Sequence, residues 1–196
     1  MKHTFLIKDW LSSFLSLLFP RCCVVCGRPL AKGEECICTV CNINLPRTNY
    51  HLRKDNPVER LFWGQIPLER ATSFFFYEKG SDFRLILHRL KYGGQKEIGA
   101  IMGRYMAAEL LSSHFFQGID VIIPIPLHKK KQQIRGYNQS EWIARGIAAV
   151  TGIPIDTESI LRKKNTETQT RKSVFERRDN VEGIFELQHP ETLAGK

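Results

Sequence analysis

The sequence predicts an α/β chain with a mostly parallel sheet, preceded by a small N-terminal module built on four cysteines. Three observations carry that prediction. All six cysteines fall between Cys22 and Cys41. From Ala71 onward, short apolar runs alternate with segments whose apolar residues recur at helical spacing. The clearest apolar run, Val121 to Ile125, passes through prolines directly into a cationic stretch.

The bulk numbers fit this outline. A chain of 196 residues, 42% hydrophobic and 25% charged, has room for one ordinary domain and an appendage. Its net charge of +9 favours anionic partners. No apolar run reaches the roughly 18 residues needed to cross a bilayer, so no membrane span is expected.

Taken in order, residues 1–20 read as an amphipathic helix, because Trp10, Leu11, Phe14, Leu15 and Leu18 share one face. Lys8 and Asp9 interrupt any signal-peptide core, and the chain is read as cytoplasmic.

Residues 21–46 form the cysteine module. Two Cys-x-x-Cys pairs, Cys23/Cys26 and Cys38/Cys41, are separated by 11 residues. Each pair can make a tight knuckle, and two knuckles supply the four soft ligands of a closed, structural zinc site. Gly27 suits the knuckle turn. Disulfides would need an oxidising compartment, for which the sequence offers no sign. Cys22 is an alternative first ligand to Cys23. Metal binding would add on the order of 10 kcal/mol to the folding of a segment this poor in apolar residues.

Residues 47–69 hold charges and Pro57 and read as a linker. The main domain is placed at 70–196. Ala71 to Tyr77 reads as an aromatic strand. A helix opened by Gly80-Ser81 carries Phe83, Ile86, Leu87 and Leu90 on one face and stops at Gly93-Gly94. A second helix has Ile98, Ile101, Met102, Tyr105 and Ala108 in phase. Its Gly99 and Gly103, four residues apart, would admit a sheet at close range.

After Gln117-Gly118 comes the run at Val121, read as a central strand buried on both faces. A third helix over Gln139 to Val150 turns Trp142, Ile143 and Ile147 inward, and Ile153-Pro154-Ile155 begins another extended piece.

In open α/β sheets, ligands collect at the carboxyl ends of strands. Pro124 and Pro126 end the central strand there. Lys129, Lys130, Lys131 and Arg135 bring positive charge, and Asn138 to Ser140 can cap the next helix, whose free amides attract anions. The same pattern also describes a solvated face. A second basic block adds seven Lys/Arg between Arg162 and Arg178, without apolar periodicity, and reads as a long loop covering a site or holding a polyanion.

The motifs recur in a known order. They are the cysteine module, Leu90-Lys91-Tyr92 with Gly94, Pro124-Ile125-Pro126-Leu127, and Arg135-Gly136-Tyr137-Asn138-Gln139. Arg162 with Thr168-Gln169-Thr170 follows, then Glu176-Arg177 with Asn180-Val181, Gly183 and Phe185. On these residues the chain resembles the ComF/GntX family, whose members are similar to type I phosphoribosyltransferases.

The resemblance implies a phosphoribosyltransferase-like parallel sheet behind the zinc module and an association with DNA uptake in natural transformation. It implies binding of phosphoribosyl pyrophosphate with magnesium; the alternative is a zinc-dependent module that holds single-stranded DNA and bridges to a competence helicase without catalysis. It places Pro126, Leu127 and His128 at the turn near the pyrophosphate, Lys91 and Arg135 on phosphate, and Asn138 and Gln139 at the helix cap or on the ligand. No catalytic residue is assigned.

The chain departs from the pattern at one element. Type I phosphoribosyltransferases carry two acidic residues followed by a Thr-Gly loop that cradles the 5′-phosphate. No Asp-Asp pair followed by Thr-Gly occurs in the 196 residues. The resemblance puts that strand just after Lys196, so the domain at 70–196 is expected to be C-terminally incomplete and inactive in transfer.

Overall fold

The computed structural model describes residues 20–164 and 183–195. The helix predicted for residues 1–20 lies outside them except for Pro20, as does most of the second basic block. The chain divides into two compact units. One holds residues 20–47 with Phe75–Leu87, and the other holds Thr48–Phe74 with residues 88–164 and 183–195.

The first unit is organised by its cysteines. The Gly27 amide donates to the Cys23 carbonyl at 2.9 Å, and Gly27 sits at φ 73, a left-handed value that the knuckle requires. Helix α1, Thr39–Ile43, begins at Cys38, whose sulfur caps it by accepting the Cys41 amide. The two knuckles are joined through the Val24 amide, which donates to the Cys36 carbonyl at 2.9 Å. Val24, Ile37 and Leu45 are buried around them. The aromatic strand expected at Ala71 to Tyr77 reduces to an isolated antiparallel bridge between Arg47 and Phe75.

In the second unit, the stretch predicted as a linker takes defined structure. A 3-10 turn, Tyr50–Leu52, leads to helix α2, Pro57–Arg60. The organiser is Asn56, which is 2% exposed. Its Oδ1 accepts the Val58 and Glu59 amides, and its Nδ2 donates to the carbonyls of Tyr50, Arg53 and Ala71. The Glu59 carboxylate returns the bond to the Asn56 amide, completing a capping box.

Helix α3, Arg84–Tyr92, ends where the glycines predict. The Gly93 amide closes on the Arg89 carbonyl at 2.8 Å, and Gly94 turns away at φ 68. Helix α4, Glu97–Leu111, buries Ile98, Ile101 and Met102 as expected, and Ala107 and Leu110 rather than Ala108. Helix α5, Lys129–Arg135, occupies the stretch read as a basic loop. His128 caps it at the start and Gly136 closes it at φ 78. Helix α6, Gln139–Thr151, starts at Asn138 and ends at Gly152.

The packing at the centre of this unit is helix on helix. Gly99 and Gly103 of α4 face α6, not a sheet. A Cβ on Gly103 would lie 2.2 Å from the Ile143 carbonyl oxygen, and one on Gly146 would lie 2.0 Å from that of Ala100. The glycines therefore let two backbones touch, and the residues predicted to admit a sheet admit a helix.

The mostly parallel sheet is correspondingly small among the described residues. Ile122 and Ile155 form a single parallel bridge, with the Ile122 amide on the Pro154 carbonyl at 2.9 Å and the Asp156 amide on the Ile122 carbonyl at 3.0 Å. Pro124, Pro126 and Pro154 lack amide donors, so the ladder cannot extend past that residue. Nor is the run at Val121 buried on both faces, since Ile125 is 60% exposed. The two-stranded sheet that does form is antiparallel. β1, Ile160–Arg162, pairs with β2, Phe185–Leu187, in the register Ile160 to Leu187 and Arg162 to Phe185. Helix α7, Pro190–Leu193, follows it. No helix among the described residues is long and apolar enough to cross a membrane.

Candidate functional site

The sulfurs of Cys23, Cys26, Cys38 and Cys41 lie within 4.8 Å of one another. Cys26 Sγ and Cys38 Sγ are 3.7 Å apart. Tetrahedral zinc with sulfur at about 2.3 Å requires sulfurs roughly 3.8 Å apart, so this donor set fits such an ion. The group could hold a metal ion, and its first member is Cys23 rather than Cys22. Cys22 is exposed and donates instead to the Pro20 carbonyl.

The thiols sit in unequal environments. Burial raises the Cys23 thiol, but the amides of Cys26, Cys38 and Val25 outweigh it and hold its pKa at about 7. Burial pushes the Cys41 thiol up, with hydrogen bonds to Cys38, Cys26 and Cys23 acting in the same direction. Glu34 ties the module from outside. It accepts the Ala31 amide at 2.8 Å, and the Thr39 amide at 2.6 Å and hydroxyl at 2.8 Å. These amides hold its carboxyl below the usual range.

Two cavities of the second unit flank α5, one on each side. The first, of about 430 Å³, takes Pro126, Leu127, His128 and Asn138 of the predicted residues, together with Gln132 and Arg162. The second, of about 460 Å³, takes Lys91 and Arg135, together with Tyr92, Gly94, Lys131 and Ile134. The split follows from helical geometry. His128, Lys129 and Gln132 fall on one face of α5, while Lys131, Ile134 and Arg135 fall on the other. Gln139 lines neither cavity. It is buried and accepts from Arg135 Nη1 at 3.0 Å, which makes it a positioning residue for that guanidinium.

Each wall has a local cause. His128 Nδ1 accepts the Lys130 amide, and Asn138 Oδ1 accepts the Ser140 amide at 3.1 Å, so both side chains cap helices beside the first cavity. Asn138 Nδ2 also donates to the Ile125 carbonyl at 3.1 Å, fixing the proline-stiffened exit against the start of α6. Glu141, also in the wall, is engaged by Arg145 at 2.7 Å.

The second cavity is assembled by Tyr137. Its buried hydroxyl donates to the Leu90 carbonyl at 2.6 Å, which fastens the motif after α5 to the end of α3. Burial pushes that hydroxyl's pKa up, with Glu97 adding to the effect and Arg135 opposing it. Lys131 is held below its ordinary range by burial, then by the nearby guanidiniums of Arg162 and Arg135, so positive potential is concentrated around α5.

Arg162 and Tyr92 were quoted among the motifs but not placed at a site. Alternation of cation and polar residues gave no signal that Arg162 enters a strand aimed at a cavity. Tyr92 offered a weak one, its i, i+4 spacing from His88. Thr157, also in the first wall, carries no sequence signal.

No family model matches the chain, and no solved structure matches it. Curated relatives do. DNA utilization protein YhgH of Escherichia coli O157:H7 is 30% identical over 189 residues, covering 89% of this chain and 81% of that protein. Competence protein ComFC of Bacillus subtilis is 25% identical, covering 89% of this chain and 73% of its own. Competence protein F of Haemophilus influenzae is 30% identical over 106 residues, 53% of this chain and 46% of that protein.

Proposed function

The chain belongs to the ComF family of DNA-utilization and competence proteins, and from that membership we propose that it is a zinc-bearing protein of DNA uptake that binds phosphoribosyl pyrophosphate in the cavity beside His128. The supporting observation is convergence. The Pro126–His128 turn, the Asn138 cap and Arg162 come from three separate motifs and line one cavity. A guanidinium can grip a phosphate through two parallel hydrogen bonds, and the capped start of α6 adds amide donors. The cavity of about 430 Å³ is in the usual range for a small ligand.

Magnesium would enter with the pyrophosphate, since the Glu141 carboxylate is engaged by Arg145. The described walls supply cations, a stiff turn and caps. Zinc is the ion that four thiolates at this spacing select, in a closed and structural site.

Calorimetric titration tests the pocket. Phosphoribosyl pyrophosphate with magnesium should bind the native chain, and Arg162→Ala should weaken it about 10- to 100-fold, the effect of one charge-assisted contact. Absence of binding, or equal binding to the Arg162 variant, overturns the assignment.

A further inference from the structure

The cavity on the far side of α5 combines apolar surface with positive charge. Ile134 stands in its wall 84% exposed, the highest value of any large apolar residue among the described residues. Tyr92 shares that wall at 60% exposure. An isoleucine left in water forfeits the stabilisation that burial would bring. The cap at His128 and the stop at Gly136 hold α5 as a helix, so Ile134 is presented on a defined surface.

Around it the charge has one sign. Lys91, Lys131 and Arg135 line the same cavity of about 460 Å³, with no acidic residue in the lining. Arg135 Nη1 donates to Gln139 Oε1 at 3.0 Å, which steadies the guanidinium plane. A guanidinium so held matches a carboxylate through two parallel bonds. The Tyr92 ring is already engaged, with Arg135 5.6 Å from its centroid and His88 at 5.2 Å with a 51° tilt. It therefore offers an incoming group apolar area rather than a bare face for stacking. The Tyr137 hydroxyl on the Leu90 carbonyl fixes the backbone that carries Lys91 and Tyr92.

We propose that this cavity docks an acidic segment of a partner protein. A large apolar side chain of that segment packs on Ile134 and Tyr92, and its flanking carboxylates meet Lys91, Lys131 and Arg135. Charge complementarity selects the sign of the partner, since three cations without an acidic neighbour disfavour a basic one. The exposed isoleucine selects peptide over phosphate. An apolar side chain gains by covering it, whereas a phosphate or a sugar leaves it in water. The segment comes from another molecule. The only adjacent acidic pair in the sequence is Glu34-Glu35, and the Glu34 carboxylate is taken by Ala31 and Thr39. The proposal does not rest on the reading of the cavity beside His128, which lies on the other face of α5.

The test uses the whole chain and the fluorescence anisotropy of a labelled peptide, a run of aspartates flanking Leu-Phe. One control peptide carries Ser-Ser in place of Leu-Phe, and another carries asparagine in place of aspartate. The native chain should bind the first peptide about 10-fold or more tightly than either control. Ile134→Ser should weaken the first peptide about 5- to 100-fold, as for the loss of one covered apolar side chain, and leave the Ser-Ser control nearly unchanged. Lys91→Gln should weaken both of these peptides, by less as salt rises.

Ile134 is exposed, so metal content, unfolding midpoint and phosphoribosyl pyrophosphate affinity should stay native in Ile134→Ser. Labelled oligothymidylate, carried in parallel, should bind the native chain and Ile134→Ser alike. An equal loss for oligothymidylate in that variant would make the cavity a strand site and overturn the proposal. Self-association of the native chain that Ile134→Ser abolishes would make a second copy the occupant, with the same consequence. Equal native affinity for the first peptide and the Ser-Ser control, or unaltered affinity of Ile134→Ser for the first peptide, also overturns it.

Discussion

The cysteine module and the cavities flanking α5 are assembled by opposite routes. In the module, four donors within Cys23 to Cys41 converge because each Cys-x-x-Cys turn brings its own two sulfurs together. Around α5, the walls come from Lys91, Arg135, Asn138 and Arg162, which only meet when distant segments dock. The first site is specified locally, by the spacing of its cysteines. The second depends on backbone contact between α4 and α6 and on a few fasteners such as Tyr137 and Asn138. The two sites should therefore fail for different reasons.

The largest effect expected is metal removal. Chelation, or Cys38→Ser, should release about one zinc per chain and unfold residues 21–46, a loss on the order of 10 kcal/mol of local stability. Metal release followed colorimetrically, with amide exchange read across the module, checks it. Full amide protection after chelation would break the contrast.

Next comes the helix pair. Gly103→Ala places a methyl group 2.2 Å from the Ile143 carbonyl, and Gly146→Ala places one 2.0 Å from that of Ala100. Backbone cannot yield as a flexible side chain can, so each should cost about 1–3 kcal/mol or more in denaturant unfolding. The same variants should retain the metal, which sharpens the distinction between the two routes.

A smaller loss is expected at the fastener. Tyr137→Phe deletes the hydroxyl that reaches Leu90 and leaves a buried carbonyl short of a partner, for about 1–2 kcal/mol. Equilibrium unfolding in denaturant measures that loss.

The smallest effect belongs to Glu34, an exposed carboxylate whose pKa is lowered by the Thr39 amide first, then by the Ala31 amide and the Thr39 hydroxyl. A depressed folded pKa means its contribution is present above the unfolded carboxyl value and fades as pH falls through the folded one. Glu34→Gln should lower the module's thermal midpoint slightly at neutral pH, and the gap from the native chain should close in acid. A gap that widens in acid would reverse the sign.

Legibility in the sequence follows the same division. The four-cysteine group was readable because its spacing is its geometry, and it takes in Cys23 rather than Cys22. Helix ends were readable at Gly93-Gly94, Asn138 and Gly152, where caps and left-handed glycines act within a few residues. What Gly99 and Gly103 approach was not readable, since a small residue invites close contact without naming the partner. The strand at Val121 shrinks to a single bridge because Pro154 on its partner, as well as Pro124, lacks an amide donor. The division of the basic residues between two cavities was hidden until α5 was seen to be a helix.

By itself, then, the sequence determined the cysteine knuckles, the caps and stops of the helices, and the family, all of which rest on residues close together in the chain or on motifs in fixed order. Only the tertiary structure decided that α4 meets α6 through bare backbone, that Tyr137 closes on Leu90, and that Lys91 and Arg135 share a wall apart from His128 and Arg162. Contacts between remote segments depend on which surfaces bury one another, and no local spacing encodes that choice.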